Sequence, residues 1–203
     1  TVQIGEQVWM AENLKVTKYK DGTAIPTGHS DSEWANLSTD AYAVYPTDDN
    51  DGGEAYQPTC GNDCGAVYGN LYNWYTVDDS RGVCPEGWHV PSDAEWTILT
   101  DYLGGQSDAG GKLKEEGTEH WDSPNTGATN ESGFTGLPAG LRYGDSDNIS
   151  SGTFGNGTYG RMGNNGYFWS SSVNSSIDAW ARELGNNFSQ VNRGTNNKPY
   201  GFS

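Results

Sequence analysis

The stretch CPEGWHVPSDAEW (residues 84–96) holds a cysteine, two prolines, two tryptophans and a histidine in thirteen positions. Its second half explains the first. Ser92 is followed three places on by Glu95, the reciprocal pattern that satisfies orphan amides at a helix start. Trp96, Leu99, Tyr102 and Leu103 then fall on one helical face, and Gly104-Gly105 ends the helix. Upstream, GWHVP reads as a short strand that Pro91 stops. The segment is a corner of a fold, a strand entering a capped amphipathic helix over residues 93–103, and not a catalytic loop.

Working outward, VQIGEQVWMAENL alternates like a hairpin, with Val2 and Ile4, then Val8 and Met10, on the inner face and Gly5 between the strands. Residues 20–66 are turn-rich, broken by a short strand at YAVYP (residues 42–46). GAVYGNLYNWYTV (residues 65–77) is an aromatic-rich run whose periodicity leaves helix and strand both open. A second short helix is read over AGGKLKEEG (residues 109–117), with Glu115, Glu116 and Glu119 as solvated charge on its polar face. After Thr118 helix signals stop, and SGFTGLPAGLRYG, GYFWSSSV, DAWARELG and SQVNRG read as short strands between Gly- and Asn-rich loops. No repeat or linker divides residues 1–203, which are read as one α+β domain.

The composition narrows function. Only 33% of residues are hydrophobic, but eight Trp and twelve Tyr supply large buried area per side chain, enough for a core and against disorder. A formal net charge of −16 argues against nucleic-acid binding and against an anionic membrane surface. No run reaches the roughly eighteen apolar residues of a membrane span. The chain opens strand-like without an initiator Met, so an upstream segment is expected to have been removed or left out. Cys60 and Cys64, with only three residues between them, are read as a local disulfide, which implies an oxidising compartment; Cys84 is left over. His29, His89 and His120 are too scattered to complete a zinc site.

Motifs with catalytic connotations lose to plainer readings. GNGTYG (residues 155–160) has the G-x-G-x-x-G spacing, but its flanks are Ser, Asn and Gly with no apolar helix following, so it is read as a loop. His89 is read as structural, and Ser170, Ser171 and Ser172 lack a nucleophile-elbow context. The expectation is that the protein is not an enzyme. The best cation candidate is TDDNDGGE: Asp49, Asp51 and Gly52 match the third, fifth and sixth positions of an EF-hand loop, while Thr47 and Pro58 fail its first and twelfth. A looser calcium loop with Asp49, Asp51 and Glu54 is the candidate metal site, and Asp145, Asp147 and Asn148 form the alternative. Six N-x-S/T triplets begin at Asn36, Asn130, Asn148, Asn156, Asn174 and Asn187 and mean glycans only where the host has the machinery.

These residues support a specific resemblance. IGEQVWMAENLKVTKYKDGTAIP, AYAVYP, YGNLYNWYTVDDSRGVCPEGWHVPSDAEWTILTDYLGG, AGGKLKE, TNESGFTGLPAGLRYG, GYFWSSS and VNRGTNNKPYGFS are collinear over nearly the whole chain. Together they resemble the Fibrobacter succinogenes major paralogous domain family. That resemblance implies a C-type-lectin-like, formylglycine-generating-enzyme-like fold, with two short helices on an irregular antiparallel sheet bearing long loops. It also implies a bacterial protein, secreted or on the cell surface and often lipid-anchored through an upstream segment. It carries over no catalytic residues. Formylglycine-generating relatives use a late cysteine pair, and this chain has no cysteine after Cys84. Calcium-dependent lectins use Glu-Pro-Asn or Gln-Pro-Asp triplets, absent here. Family members commonly continue past YGFS with a cysteine-bearing strand. The resemblance makes that strand the partner of Cys84, placed at the domain base; otherwise Cys84 is free or pairs between chains.

The functional expectation is a non-catalytic surface protein presenting a loop face for binding or self-assembly, its partner another copy or another surface protein. The alternative is a carbohydrate-binding module, with or without calcium. The second half of the chain mixes aromatic strands with Asn- and Ser-rich loops, a palette of rigid contact area and adaptable hydrogen bonds. Trp169 and Trp180 lie in strand-like runs and are assigned to the core. Tyr159, Arg161, Asn186, Phe188, Asn192, Arg193 and Asn197 are assigned to the displayed face.

Overall fold

The computed structural model of the protein describes residues 1–47, 60–144 and 155–203. The chain opens with a hairpin of β1 (Val2–Ile4) and β2 (Gln7–Trp9), turned at Gly5 with φ +61°, a left-handed value that favours a residue without Cβ. Its register pairs Val2 with Trp9 and Ile4 with Gln7, so these four share the inner face, while Val8 opposite Gln3 points out and is 58% exposed. The inward assignment of Val8 is therefore corrected to Trp9.

Three short helices and a small sheet follow. α1 (Asp31–Ala35) starts at a Ser30/Glu33 capping box. β3 (Tyr42–Ala43) pairs antiparallel with β4 (Leu71–Tyr72). The run whose periodicity was ambiguous holds both structures: α2 (Cys64–Tyr68), β4 and α3 (Trp74–Val77). Polar caps set these boundaries, the Asp63 side chain accepting from Ala66 N–H and the Asn73 side chain from Thr76 N–H.

α4 (Asp93–Tyr102) forms as read. Ser92 Oγ accepts the Glu95 N–H at 3.2 Å, and Glu95 Oε2 accepts the Ser92 N–H at 2.7 Å. Trp96, Leu99 and Leu103 are buried, but Tyr102 sits at the edge of their stripe and is 66% exposed. Its ring covers Gly5, where a Cβ would lie 3.0 Å away. GWHVP is not a strand: Trp88 N–H is taken by the Pro85 carbonyl in a turn, and Pro91 has no amide to offer a ladder. α5 (Gln106–Leu113) begins and ends earlier than read, so Glu115, Glu116 and Glu119 follow the helix and do not line its polar face.

A five-stranded sheet forms the other half, from β5 (Ala139–Arg142), β6 (Tyr159–Met162), β7 (Asn165–Val173), β8 (Asp178–Gly185) and β9 (Asn192–Asn197). The order is β6-β5-β7-β8-β9, antiparallel except between β5 and β7. GNGTYG begins as a turn but becomes β6 at Tyr159, a strand the loop reading missed. The protein is thus a mixed α+β fold, with short helices beside a curled, mostly antiparallel sheet. Aromatics fill both faces. Trp9, Trp96, Phe134 and Phe168 cluster beneath α4, and Trp169 stacks on Phe202 at 4.3 Å on the opposite side. Trp180, expected in the core, is only half-buried and carries the Arg193 guanidinium 3.6 Å above its ring.

One charged clamp ties helix to sheet. Asp93, the first residue of α4, accepts from buried Arg182 at 2.8 Å and from Arg193 at 2.8 Å and 2.9 Å. Burial raises the Asp93 carboxyl's affinity for a proton, but the hydrogen bonds from Arg193 and Arg182 outweigh it and hold its pKa below the ordinary value. A carboxylate whose folded pKa is depressed stabilises the fold above the unfolded value of about 3.9, and that stabilisation is lost as pH falls through the lower folded value. Urea titrations are therefore expected to show the stability gap between wild type and Asp93→Asn closing below about pH 4. A gap that stays constant down to pH 2 would remove the clamp from the acid transition. Ser92→Ala is expected to lower stability by about 1 kcal/mol at neutral pH.

Candidate functional site

The register of the large sheet builds a row of polar side chains. Tyr167 on β7 stands opposite Glu183 on β8, and Glu183 stands opposite Asn192 on β9. Cross-strand neighbours share a face, so all three meet. Glu183 Oε1 accepts from Asn165 Nδ2 at 2.8 Å and from the Tyr167 hydroxyl at 3.3 Å, and Oε2 accepts from Asn192 Nδ2 at 3.0 Å. Burial and the nearby Glu183 carboxylate raise the Tyr167 pKa far above its ordinary value, so the hydroxyl keeps its proton.

At the end of this row a recess of about 310 Å³ opens, lined by Arg161, Asn164, Asn165, Tyr167, Glu183, Asn186, Asn187 and Phe188. Two loops shape it. The β6–β7 turn starts at Arg161, whose φ of +66° swings the chain round, and closes where Asn164 N–H meets the Arg161 carbonyl at 3.1 Å. The loop after β8 is joined to that turn by the Asn186 N–H to Asn164 carbonyl bond (2.8 Å) and the Asn186 Nδ2 to Asn164 Oδ1 bond (3.3 Å). Phe188 folds back over Gly185, where any Cβ would collide with its ring.

Behind the recess lies Lys114, fully buried immediately after α5. Its ammonium donates to the carbonyls of Thr126, Gly185 and Phe188 at 2.9, 2.8 and 2.9 Å. Burial pushes its pKa down to about 8, so it remains charged at neutral pH. An ammonium has three donors and no acceptor, which matches three converging carbonyls.

The structure divides the seven predicted face residues. Arg161, Asn186 and Phe188 meet in the recess, and Asn192 supports it through Glu183. Arg193 lies on the other side of β9, in the α4 clamp, and Asn197 shares its strand parity. Tyr159 is corrected from a displayed residue to an inward one, with its ring 5.2 Å from Tyr45 and 4.7 Å from the Arg142 guanidinium. Sequence reasoning missed Asn164, Asn165, Tyr167, Glu183, Asn187 and Lys114. The i, i+2 spacing of Asn165 and Tyr167 was the available signal, but the strand facing them was not readable.

A second concavity is apolar, about 510 Å³, between the β1–β2 hairpin, residues 83–91 and the sheet. Trp9, Val83, Trp88, Val90 and Phe202 line it together with Cys84 and Ser203. Cys84 is unpaired and buried, and burial raises its pKa, partly opposed by Lys20. Cys60 and Cys64 are joined as read, with Cα atoms 4.7 Å apart. His89, read as structural, has Nε2 2.9 Å from Glu95, and His120 has Nδ1 2.9 Å from Glu115. The calcium candidates Asp49, Asp51 and Glu54, and the alternative Asp145, Asp147 and Asn148, lie outside the described residues. Among the described residues no three His, Cys, Asp or Glu side chains are grouped to hold a metal, and no helix is long and apolar enough to cross a membrane.

A model of the Fibrobacter succinogenes major domain matches residues 2–203. The chain belongs to that bacterial family. No curated protein and no solved structure matches it.

In this family member, Lys114→Met is expected to lower unfolding free energy by about 3 kcal/mol, because three buried carbonyls lose their donor together. Urea denaturation checks this, and a loss under about 1 kcal/mol would mean water replaces the ammonium there.

Proposed function

We propose that the protein is a non-catalytic, secreted or cell-surface domain of C-type-lectin-like architecture that acts by presenting a loop face for binding or self-assembly. The observation that carries this reading is the recess at the Arg161–Phe188 end of the sheet. It brings fixed amide, carboxylate and guanidinium groups to one concave surface beside an aromatic ring. The carboxylates elsewhere support it too, since their partners are structural: Glu95 completes a helix cap and Asp93 clamps α4. The Cys60–Cys64 disulfide supports an oxidising compartment. The acidic coat supports a protein kept soluble outside the cell.

Self-assembly has separate support in the apolar groove. Ser203 lies on its lip, its amide donating to the Tyr167 carbonyl at 3.1 Å, and Cys84 lies in its wall. Sedimentation velocity over a hundredfold concentration range, in oxidising and in reducing buffer, is expected to show association beyond the monomer. Monomers throughout would remove self-assembly and leave recognition of a different molecule. Finding the protein inside the cell, protected from protease added to intact cells, would overturn the surface reading altogether.

A further inference from the structure

The recess has a composition that selects its ligand. We propose that it binds the terminal unit of a neutral saccharide without calcium, through Glu183, Asn165, Asn186, Arg161 and Phe188. The proposal rests on the loop-face reading above and gives that face a ligand class.

Charge comes first. Among the described lining residues the charged groups are one cation, Arg161, and one anion, Glu183. The surrounding protein carries a formal −16, so an acidic saccharide would approach against the field of the whole molecule. A neutral ligand meets no such barrier. Among the described lining residues Glu183 is the one carboxylate, too few for a calcium ion, which takes six to eight oxygens from several acidic or carbonyl groups.

Hydrogen-bond chemistry comes second. A carboxylate has about four acceptor positions, and the Glu183 side chain accepts from Asn165, Tyr167 and Asn192. That leaves room for one more donor, which an O–H or N–H of a ligand entering the recess can supply. The Asn165 and Asn186 amides are oriented by bonds to Glu183 and Asn164, and each side-chain amide carries both donors and an acceptor. Adjacent sugar hydroxyls, each donor and acceptor at once, match alternating carboxylate and amide groups better than a purely anionic or purely cationic ligand does. Phe188, half-buried on Gly185, supplies an apolar flank for the C–H face of a pyranose ring.

Preorganisation comes third. Lys114 holds the carbonyls of Gly185 and Phe188, and the β6–β7 turn is bonded to the same loop through Asn164 and Asn186. Little side-chain or loop freedom is left to lose on binding, which favours affinity in a small site. A volume of about 310 Å³ is at the low end for small-molecule sites, suited to a terminal sugar unit and not to a long chain.

The test is an array of neutral and acidic oligosaccharides probed in EDTA, followed by calorimetry and amide NMR with the best neutral oligosaccharide. Wild type is expected to bind neutral members, with chemical-shift changes at the side-chain amides of Asn165 and Asn186. Glu183→Gln is expected to weaken binding at least tenfold. Because Glu183 also braces the sheet, Asn187→Ala at the exposed recess rim is tested beside it, expected to weaken binding severalfold with an unchanged melting temperature. Glu12→Gln, remote and exposed, should bind as wild type. Binding confined to acidic saccharides, binding abolished by EDTA, or full binding in the Asn187→Ala variant would overturn the proposal. So would an array with no neutral signal. In that last case the loop-face reading stands apart from the saccharide, and association seen by sedimentation, or the protein's location at the cell surface, tests it separately.

Discussion

A single buried ammonium holds the loop end of this fold together. Lys114 joins three segments that share no ladder at that point: the loop carrying Thr126, the end of β8 at Gly185 and the loop at Phe188. Loops normally stay at the surface because their backbone groups need water, and burying them demands substitutes. Here one cation satisfies three carbonyls, and the face of Trp121 lies 5.4 Å from the charge. Gly110 and Gly111 make the approach possible, since a Cβ at either would strike the backbone of Gln190 or Gly127. The same region has no regular structure but is tied from several directions, and that is how an irregular loop becomes a fixed wall for a recess.

The sheet uses related chemistry at other points. Arg182 is buried against Asp93, and Arg142 is buried with bonds to the Gly157 and His29 carbonyls while its guanidinium lies over Trp34 and Tyr159. With Lys114 and Lys198, four of the eleven Lys and Arg residues are buried, so the exposed surface is poorer in positive charge than the composition indicates. The internal cations hold loops and helix to sheet, and among the described residues no Asp or Glu is fully buried. That division strengthens the case against a polyanionic partner, since phosphate recognition needs exposed clustered cations.

Local grammar was legible in the sequence where a few adjacent residues decide the outcome. Ser92 and Glu95 cap α4, Gly5 turns the first hairpin, and Cys60 and Cys64 close on each other because four positions separate them. What required a partner strand was not legible. Val8 points out because Trp9 is registered with Val2, and Tyr102 is exposed because the helix stripe ends at Leu103. Arg193 and Asn192, adjacent in the chain, serve opposite sides of β9, a division that strand alternation makes certain only once the strand is known. Lys114 gave no sign at all. In AGGKLKE it reads as a solvent-facing helix residue, and only the helix ending at Leu113 turns it inward.

The recess shows how such long-range placement converts fold into chemistry. Asn165 and Tyr167 are spaced i, i+2 on β7, while Glu183 and Asn192 come from two further strands with no sequence motif linking them to that pair. The β7–β8 register places Tyr167 opposite Glu183, and the β8–β9 register places Asn192 there as well. A slip of one residue on β8 would replace Glu183 with a side chain of the opposite face and leave Asn165 and Asn192 without their shared acceptor. That register is fixed from the other side of the same strand, where Arg182 is locked to Asp93 and Leu184 is buried, and on the same side by buried Ala181. The core, which Tyr167 joins by stacking on Phe202 at 5.0 Å, and the helix clamp on the opposite face therefore set the geometry of the polar row. The carboxylate at position 183 is oriented as firmly as the buried residues on either side of it.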